Sequence, residues 1–235
     1  MTNPRLGIVI PVYNEGESIG RTLDAVAAQV ATPHRISLVY DFDEDNTLAV
    51  VQSRPGAGSD IRLIKNPRPG VVSALKTGLR QAEEEYVLVT MADMSDDYAD
   101  VDTMCRLMDQ GYDLVCGSRY MGGGRQFGGP VFKKVLSRLA GITLCYLARI
   151  PTSDATNSFK LYRKRMLDAL SFESDGGFEI GMEIVVKAHA LGYKVTEIPT
   201  CWTDRTAGTS RFRLIRWAPY YLRWYLAALR YRLWP

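Results

Sequence analysis

The sequence contains very little histidine and no closely paired cysteines. His34 and His189 are its only histidines, and its four cysteines lie far apart without a Cys-x-x-Cys pair. The scarcity of histidine argues against a histidine-based zinc centre and a Ser-His-Asp triad. The wide spacing of the cysteines argues against a disulfide framework and favours reduced thiols. Acid–base chemistry in this protein must therefore come from carboxylates.

Long uncharged stretches are also missing. No run of about eighteen residues lacks a charged side chain, so the sequence predicts no transmembrane helix. The segment from Met1 to Leu6 leaves no room for a signal peptide before the first apolar run. We therefore expect a cytoplasmic protein.

Negative charge is absent from the C-terminal end. The formal net charge is +3, yet no acidic residue follows Asp204. A basic segment at the end of an otherwise acidic chain predicts an anionic partner for that segment. The arginines after Asp204 are Arg205, Arg211, Arg213, Arg216, Arg223, Arg230 and Arg232.

Apolar runs rich in β-branched residues alternate with amphipathic stretches. The run Leu6–Val12 has the composition of a strand buried on both faces, and Asn14 and Glu17 resemble the cap of a following helix. The alternation predicts one α/β domain with a largely parallel sheet, residues 1–204, and a basic aromatic tail, residues 205–235. Other predicted strands are Ile36–Tyr40, Ile61–Lys65, Tyr86–Thr90, Leu114–Cys116, Phe159–Tyr162 and Val195–Ile198; predicted helices include Val71–Ala82, Val131–Arg149 and Glu179–Ala190.

Acidic and polar residues follow three of the predicted strands, where open α/β sheets bind ligands. Converging carboxylates repel one another unless a cation or a hydrogen-bonding ligand lies between them. The alternative is that these residues are turn formers and helix caps, which we favour for Asp43, Glu44 and Asp100. Asp41 and Asp93 each follow a buried strand closely, and we predict that they belong to a site.

Four segments together resemble a known family. They are IVIPVYNEGESI at Ile8–Ile19, VLVTMAD at Val87–Asp93, GSRYMGGG at Gly117–Gly124 and RTAGTSRF at Arg205–Phe212. In this order and spacing they resemble the inverting family-two glycosyltransferases, above all the dolichol- and polyprenyl-phosphate sugar synthases. The resemblance implies a GT-A-type fold, a nucleotide-sugar donor such as a GDP- or UDP-sugar, and Mg²⁺ or Mn²⁺.

The resemblance also implies roles for individual residues. Asp93 matches the second aspartate of the Asp-x-Asp motif, which binds the metal that bridges the donor diphosphate. Arg119, Arg205 and Arg211 would hold phosphate groups of donor or acceptor, although Arg119 has an alternative structural role in pinning the glycine-rich loop. The residues implied to line the nucleotide pocket are Pro11, Tyr13, Glu15, Asp41, Met91 and Asp93.

The sequence departs from the family pattern at Met91, which replaces the first aspartate of the motif. Because Mg²⁺ often binds only one or two protein carboxylates together with phosphates and waters, Asp93 with Asp96 or Asp97 would still suffice. We expect the change at Met91 to alter how the donor is gripped or which donor is accepted.

The resemblance implies transfer of a hexose-type sugar to a polyprenyl phosphate. A phosphomonoester with a second pKa near 6 is largely dianionic at neutral pH, so this nucleophile needs no histidine. Three alternatives stay open: a glycosyltransferase acting on a glycan or a diacyl lipid, a non-catalytic nucleotide-sugar-binding subunit, and, more distantly, a nucleotidyltransferase. A separate membrane-spanning partner protein also stays open.

The tail combines arginines, aromatic residues and leucines at helical spacing. This composition is typical of helices that lie in the interface of an anionic membrane. Pro219 is expected to divide the tail into two short helices. Packing on the core, a dimer interface and stacking on single-stranded nucleic acid are the alternatives; we expect no nucleic acid, because a sugar-nucleotide site lies upstream. The predicted helix that begins at Val131 would face either the membrane or the core.

Overall fold

The structure, a computed structural model, describes residues 4–54, 60–204 and 214–233. Its strands are β1 Leu6–Pro11, β2 His34–Tyr40, β3 Ile61–Lys65, β4 Tyr86–Val89, β5 Leu114–Ser118, β6 Arg125–Phe127, β7 Lys160–Arg163, β8 Val195–Pro199 and β9 Cys201–Thr203. Its helices are α1 Ile19–Gln29, α2 Asn46–Gln52, α3 Val71–Gln81, α4 Val101–Asp109, α5 Val131–Leu147, α6 Lys164–Ala169, α7 Ile180–Ala190 and α8 Leu214–Leu233.

The central sheet has seven strands in the order β3-β2-β1-β4-β7-β5-β8, and β6 pairs with β9 in a small second sheet. In the central sheet only β7 is antiparallel to its neighbours, β4 and β5. The chain therefore folds as a single α/β domain with a mostly parallel sheet of GT-A type, as the sequence predicted.

Helices cover both faces of the sheet, so β1 is buried on both sides. Ile8 and Ile10 pack on one face and Val9 on the other, because successive side chains of a strand point in opposite directions. This double burial explains why β1 reads as a continuous apolar run rather than an alternating one.

Helix α1 begins later than the sequence predicted. Its first residue is Ile19, preceded by Ser18, while Asn14 adopts a left-handed φ of 55° in the loop after β1. The prediction that Asn14 caps this helix is therefore wrong. An asparagine side chain hydrogen-bonds as readily in a tight turn as at a helix start, and the sequence pattern does not separate the two.

The C-terminal helix is a single element and packs on the domain. The indole of Trp224 is buried and donates a 3.0 Å hydrogen bond to Ser174, and the Tyr225 hydroxyl donates a 2.9 Å bond to Thr143 of α5. The prediction of two helices divided at Pro219 is wrong, since Pro219 lies inside α8. Its ring removes one backbone hydrogen bond, while Trp217 and Trp224 on either side of it pack against other parts of the fold.

None of the helices in the described ranges combines the length and the apolar character needed to cross a bilayer. The boundary between a domain at 1–204 and a tail at 205–235 stays a prediction. Residues 205–213 lie outside the described ranges.

Candidate active site

Strands β1, β2 and β4 are parallel neighbours, so their carboxyl ends meet at one edge of the sheet. All six candidate nucleotide-pocket residues lie at or just after these ends. They are Pro11, Tyr13 and Glu15 after β1, Asp41 after β2, and Met91 and Asp93 after β4. The structure therefore brings residues from three separate segments to one edge of the sheet, which is where ligands bind in open α/β folds.

The loop after β1 is held by the start of α2. The backbone N–H of Asn14 donates to both carboxylate oxygens of Asp45, at 3.1 and 3.0 Å, and the N–H of Glu15 donates to the Thr47 hydroxyl at 2.9 Å. Asp45 also caps α2 by accepting from the N–H of Thr47. The side chain of Ser18 donates to the carboxylate of Glu15. The loop after β1 is thus fixed by residues about thirty positions further along the chain.

Asp41 is anchored by two donors. Its carboxylate accepts a 2.7 Å bond from Asn66 and a 2.9 Å bond from the backbone N–H of Gly70. Beside it, the rings of Tyr13 and Phe42 meet edge to face with centroids 5.2 Å apart. A fixed acceptor next to aromatic rings suits the donor groups and flat face of a nucleobase.

The acidic turn after β4 presents its carboxylates in different directions. Asp93 is half-buried and accepts from the N–H of Ser95 at 3.1 Å, and Asp97 accepts from the N–H of Ala99. Asp96 is buried and accepts from the Thr90 hydroxyl at 2.8 Å. Burial is the main cause that raises the pKa of Asp96 to about 6; the Thr90 hydrogen bond acts against this rise, and the charge of Asp93 contributes to it.

A divalent cation fits this turn only if the donor supplies most of its ligands. No group of three or more acidic, cysteine or histidine side chains suited to a metal occurs among the described residues. Mg²⁺ keeps waters and substrate phosphates as ligands and binds one or two protein carboxylates, so Asp93 fits such a site. The inward bond of Asp96 to Thr90 leaves Asp97 as the more accessible second carboxylate of the turn. Met91 is half-buried and packs against the core.

Arg119 is mainly occupied by another residue of the chain. Its Nε and Nη2 donate to the two carboxylate oxygens of Asp154, at 2.7 and 2.9 Å, and its guanidinium lies 4.9 Å from the ring centroid of Tyr120. The guanidinium is therefore held by Asp154 and not by the glycine-rich loop, and the role of Arg119 in binding phosphate stays a prediction. Arg205 and Arg211, the two other candidate phosphate-binding arginines, lie outside the described residues.

A basic pocket next to Arg119 was missed in the sequence. It has a volume of about 360 Å³, and its lining includes Arg119, Tyr120 and Gln126 together with Lys134 and Arg138 from the first half of α5. Lys134 and Arg138 lie four residues apart, so they share one side of the helix. That spacing was the available signal, but the pattern of a helix does not show which of its sides lines a cavity.

Comparison with known proteins agrees with this fold. A family profile described as Glycosyl transferase family 2 matches residues 7–171. A glycosyltransferase of Mycobacterium bovis and one of Mycobacterium tuberculosis are each 30% identical over 211 residues, which cover 90% of this chain and 91% of each relative.

Among solved structures, glucosyl-3-phosphoglycerate synthase from Mycobacterium tuberculosis is similar in fold. Its complex with Mn²⁺, UDP and glucosyl-3-phosphoglycerate superposes with a TM-score of 0.69 at 18% identity and covers 98% of this chain and 80% of that one. Its complex with Mn²⁺, UDP-glucose and glycerol 3-phosphate gives a TM-score of 0.68 at the same identity and coverage. Because the family match spans more than half of its length, the chain belongs to glycosyl transferase family 2.

Proposed function

We propose that this glycosyltransferase moves a sugar from a nucleoside-diphosphate sugar to a phosphate-bearing acceptor, with inversion at the sugar. The observation that carries the proposal is the pairing of an acidic crevice with a basic pocket. Trp202 lies between the two sites, because it forms a backbone bridge with Asp96 in the acidic turn and its ring centroid lies 6.0 Å from the guanidinium carbon of Arg119, which lines the pocket. An acidic site that takes a metal-bound diphosphate and a basic site that takes a second anion suit the two substrates of such a transfer.

The donor lies in the crevice after β1, β2 and β4. Asp41 would accept a hydrogen bond from the base or the ribose, and Tyr13 would border the base. Mg²⁺ or Mn²⁺ at Asp93 would neutralise the departing nucleoside diphosphate. The presence of Mn²⁺ with UDP in the structural neighbour supports a divalent metal and a nucleotide-sugar donor, while UDP and GDP both remain candidate leaving groups.

The acceptor is the nucleophile, and its chemistry matches the pocket. A phosphate group is largely dianionic at neutral pH and attacks without a general base. Lys134 and Arg138 would hold that dianion, which explains how a protein with two histidines, neither at the site, could catalyse the reaction. For an acceptor that reacts through a hydroxyl, the same pocket would hold a phosphate elsewhere on the molecule.

Two classes of acceptor fit the pocket. The comparisons favour an acceptor other than polyprenyl phosphate, because the solved neighbours act in the formation of glucosyl-3-phosphoglycerate, whose acceptor is a small phosphorylated acid. The exposed surface of this chain favours an amphiphile. Both acceptors carry a phosphate, and that shared chemistry is what the basic pocket supports.

The surface that favours an amphiphile is the outer side of α5, which is unusual because it is apolar. Val131 and Tyr146, at opposite ends of the helix, have 75% and 79% of their surface exposed, whereas Lys134 and Ser137 are turned partly inward. A helix on the surface of a globular protein normally presents its polar side to water. We call the following residues the α5 stripe: Val131, Phe132, Val135, Leu136, Leu139, Tyr146 and Leu147.

Charge around the α5 stripe points to an anionic membrane as its partner. Residues 114–153, which include α5, contain no acidic residue, and none follows Asp204. The two acid-free segments meet at the hydrogen bond between Tyr225 and Thr143, and Leu222 and Leu226 of α8 are exposed one turn before and just after Tyr225. Apolar side chains edged by arginines suit an interface of acyl chains and anionic headgroups.

Vesicle binding tests the membrane contact. We expect the whole chain to co-sediment with vesicles that contain anionic lipid, less at high salt, and Val135→Glu with Leu139→Glu to abolish binding. Leu191→Glu, at an equally exposed leucine after α7, serves as the matched control and should bind like wild type. Unchanged sedimentation of the α5 variant would remove this surface from the proposal.

Product formation tests the activity. Purified protein with Mn²⁺ and a panel of labelled UDP- and GDP-sugars is given farnesyl phosphate or 3-phosphoglycerate, each beside its dephosphorylated counterpart. We expect labelled product only with a phosphate-bearing acceptor. Binding of a nucleotide-sugar without transfer to any acceptor would favour the non-catalytic binding subunit.

A further inference from the structure

Asp154 is a buried carboxylate that accepts hydrogen bonds from both the guanidinium and the backbone of Arg119. It receives Nε and Nη2 of Arg119 and also the backbone N–H of the same residue, at 3.1 Å. None of its surface is exposed to solvent. A two-point bond between a carboxylate and a guanidinium fixes both the position and the plane of the arginine.

The segment that carries Asp154 is itself tightly held. The Glu197 carboxylate on β8 accepts a 2.7 Å bond from the N–H of Ser153 and a 3.0 Å bond from the Thr152 hydroxyl. A methyl group placed on Gly141 of α5 would lie 1.9 Å from the carbonyl oxygen of Ser153, so the helix backbone touches this segment directly. Asp154 is therefore fixed relative to both the sheet and α5.

Helix α5 also contacts Arg119 through its polar inner side. Nη2 of Arg119 donates to the hydroxyl of Ser137 at 3.3 Å, and the Ser137 and Thr156 hydroxyls lie 2.5 Å apart. Nη1 hydrogen-bonds nothing within the ranges that the structure describes, and the residue lines the basic pocket. Asp154 thus leaves one edge of the guanidinium available beside the pocket.

We infer that Asp154 is a positioning residue for the acceptor: it orients Arg119 so that the guanidinium directs the acceptor anion toward the donor. The inference rests on the proposed function. Because the buried pair of Asp154 and Arg119 is neutral as a unit, net attraction for the anion comes from Lys134 and Arg138. Arg119 contributes direction rather than charge, and Asp154 acts only through it.

Because Asp154 orients and Arg138 attracts the acceptor, substitutions at the two residues should have different kinetic effects. Misplacing a reacting group by about 1 Å costs on the order of 100-fold in rate. Asp154→Asn should therefore lower kcat at least about tenfold and change the acceptor KM by less than about threefold. Arg138→Gln should raise the acceptor KM and leave kcat within about threefold, since it removes charge but not orientation.

The deciding experiment is a double-mutant cycle of Asp154→Asn and Arg119→Gln, with kcat measured at saturating donor and acceptor. If Asp154 acts through Arg119, Asp154→Asn lowers kcat in the wild type and has no further effect in the Arg119→Gln background. The double variant also removes the unpaired buried charge, so it keeps the test possible if Asp154→Asn folds poorly. Asp113→Asn weakens a different buried carboxylate–arginine contact, the one with Arg163 before the start of β5, and should leave kcat unchanged.

Equal losses from Asp154→Asn in both backgrounds, or the same loss from Asp113→Asn, would show that Asp154 is merely structural and would overturn the inference. A wild-type protein that transfers sugar while Asp154→Asn is fully active would overturn the inference alone. A wild-type protein that transfers to no phosphate-bearing acceptor would overturn the proposed function and this inference with it.

Discussion

The backbone N–H of Asn14 is bound by both carboxylate oxygens of Asp45, at 3.1 and 3.0 Å. This contact joins the loop after β1, which carries Tyr13 and Glu15, to the start of α2. Asp45→Ala removes the contact and the cap of α2 together. We expect the free energy of unfolding to fall by about 2 kcal/mol, which lowers Tm by roughly 4–8 °C in a chain of this size.

We also expect Asp45→Ala to raise the KM for the nucleotide-sugar several-fold, because the proposed function puts this loop beside the donor. Asp102→Ala is the matched control. Asp102 accepts from the N–H groups of Ala31 and Thr32 in the loop before β2, at the opposite edge of the sheet. It should cost a similar amount of stability and leave the donor KM unchanged; an equal rise in KM would mean that general loosening, not the loop, is responsible.

Metal dependence is predicted to rest on Asp93. Removing divalent cations with EDTA should abolish transfer, and Mn²⁺ should restore it. Asp93→Asn should lower kcat on the order of 100-fold, the cost of losing one group that stabilises a leaving-group charge. Met91→Ala should chiefly change donor affinity or donor choice, because a thioether is a poor ligand for Mg²⁺.

Asp97→Asn separates a metal role from a general effect of charge in this turn. The Asp97 carboxylate accepts from the N–H of Ala99, a bond that asparagine can also accept. We expect Asp97→Asn to keep at least about a tenth of wild-type activity, because it weakens only one of several metal ligands. Full activity of Asp93→Asn, or activity that persists in EDTA, would instead assign neutralisation of the diphosphate to arginines.

The contact between α7 and α8 should depend on pH through Glu173. The hydrogen bond from Lys187 lowers the pKa of Glu173, and the charge of Arg223 on α8 lowers it further. An acid with a depressed pKa stabilises the fold above its unfolded value, about 4.3, and this contribution is lost as pH falls through the folded pKa. Glu173→Gln should therefore lower Tm at pH 7, and the difference should close below about pH 4.

Thermal denaturation across pH checks this expectation. Glu83→Gln is the control. Glu83 is an exposed glutamate, and its carboxylate lies 3.5 Å from Nη1 of Arg62. Its Tm difference from wild type should be small and should vary little with pH. A Glu173→Gln difference that persists at low pH would show that the packing of the side chain, and not its charge, matters.

The closest backbone approach of α5 predicts a steric effect. Gly141→Ala places a methyl group against the carbonyl of Ser153, and overpacking of this kind costs typically 1–3 kcal/mol. Gly20→Ala in α1 meets only an arginine atom at 3.4 Å and should be neutral or stabilising. Equal Tm values for the two variants would show that α5 shifts at no cost.

Much of the fold could be predicted from the sequence, because strands of a buried parallel sheet are continuous apolar runs. The position of β7 was predicted almost correctly, but its direction was not, because alternation of side chains carries no information about strand polarity. The position of the candidate nucleotide-pocket residues directly after predicted strands was enough to predict that they share one edge of the sheet. The continuity of α8 through Pro219 depends on packing by Trp217 and Trp224, which no local pattern contains.

The acceptor side was harder to predict. Asp154 follows Arg119 by thirty-five residues, and their segments meet because β7, which follows Asp154, pairs antiparallel with β5, which precedes Arg119. The apolar spacing of α5 was consistent with either the core or a membrane, since periodicity gives the width of an apolar side and not what covers it. Neither Lys134 nor Arg138 was singled out from the sequence, because a helical pattern does not show which side of a helix lines a pocket.

The most direct measurement is the initial rate of sugar transfer to a phosphorylated acceptor and to its dephosphorylated counterpart, for wild type and for Lys134→Gln with Arg138→Gln. The account predicts transfer by wild type to the phosphorylated acceptor only, and an acceptor KM raised at least about tenfold in the double variant, at about 1.4 kcal/mol for each factor of ten. The donor KM should stay unchanged. Equal rates with both acceptors, or a double variant with the acceptor KM of wild type, would contradict the claim that the basic pocket binds an acceptor phosphate.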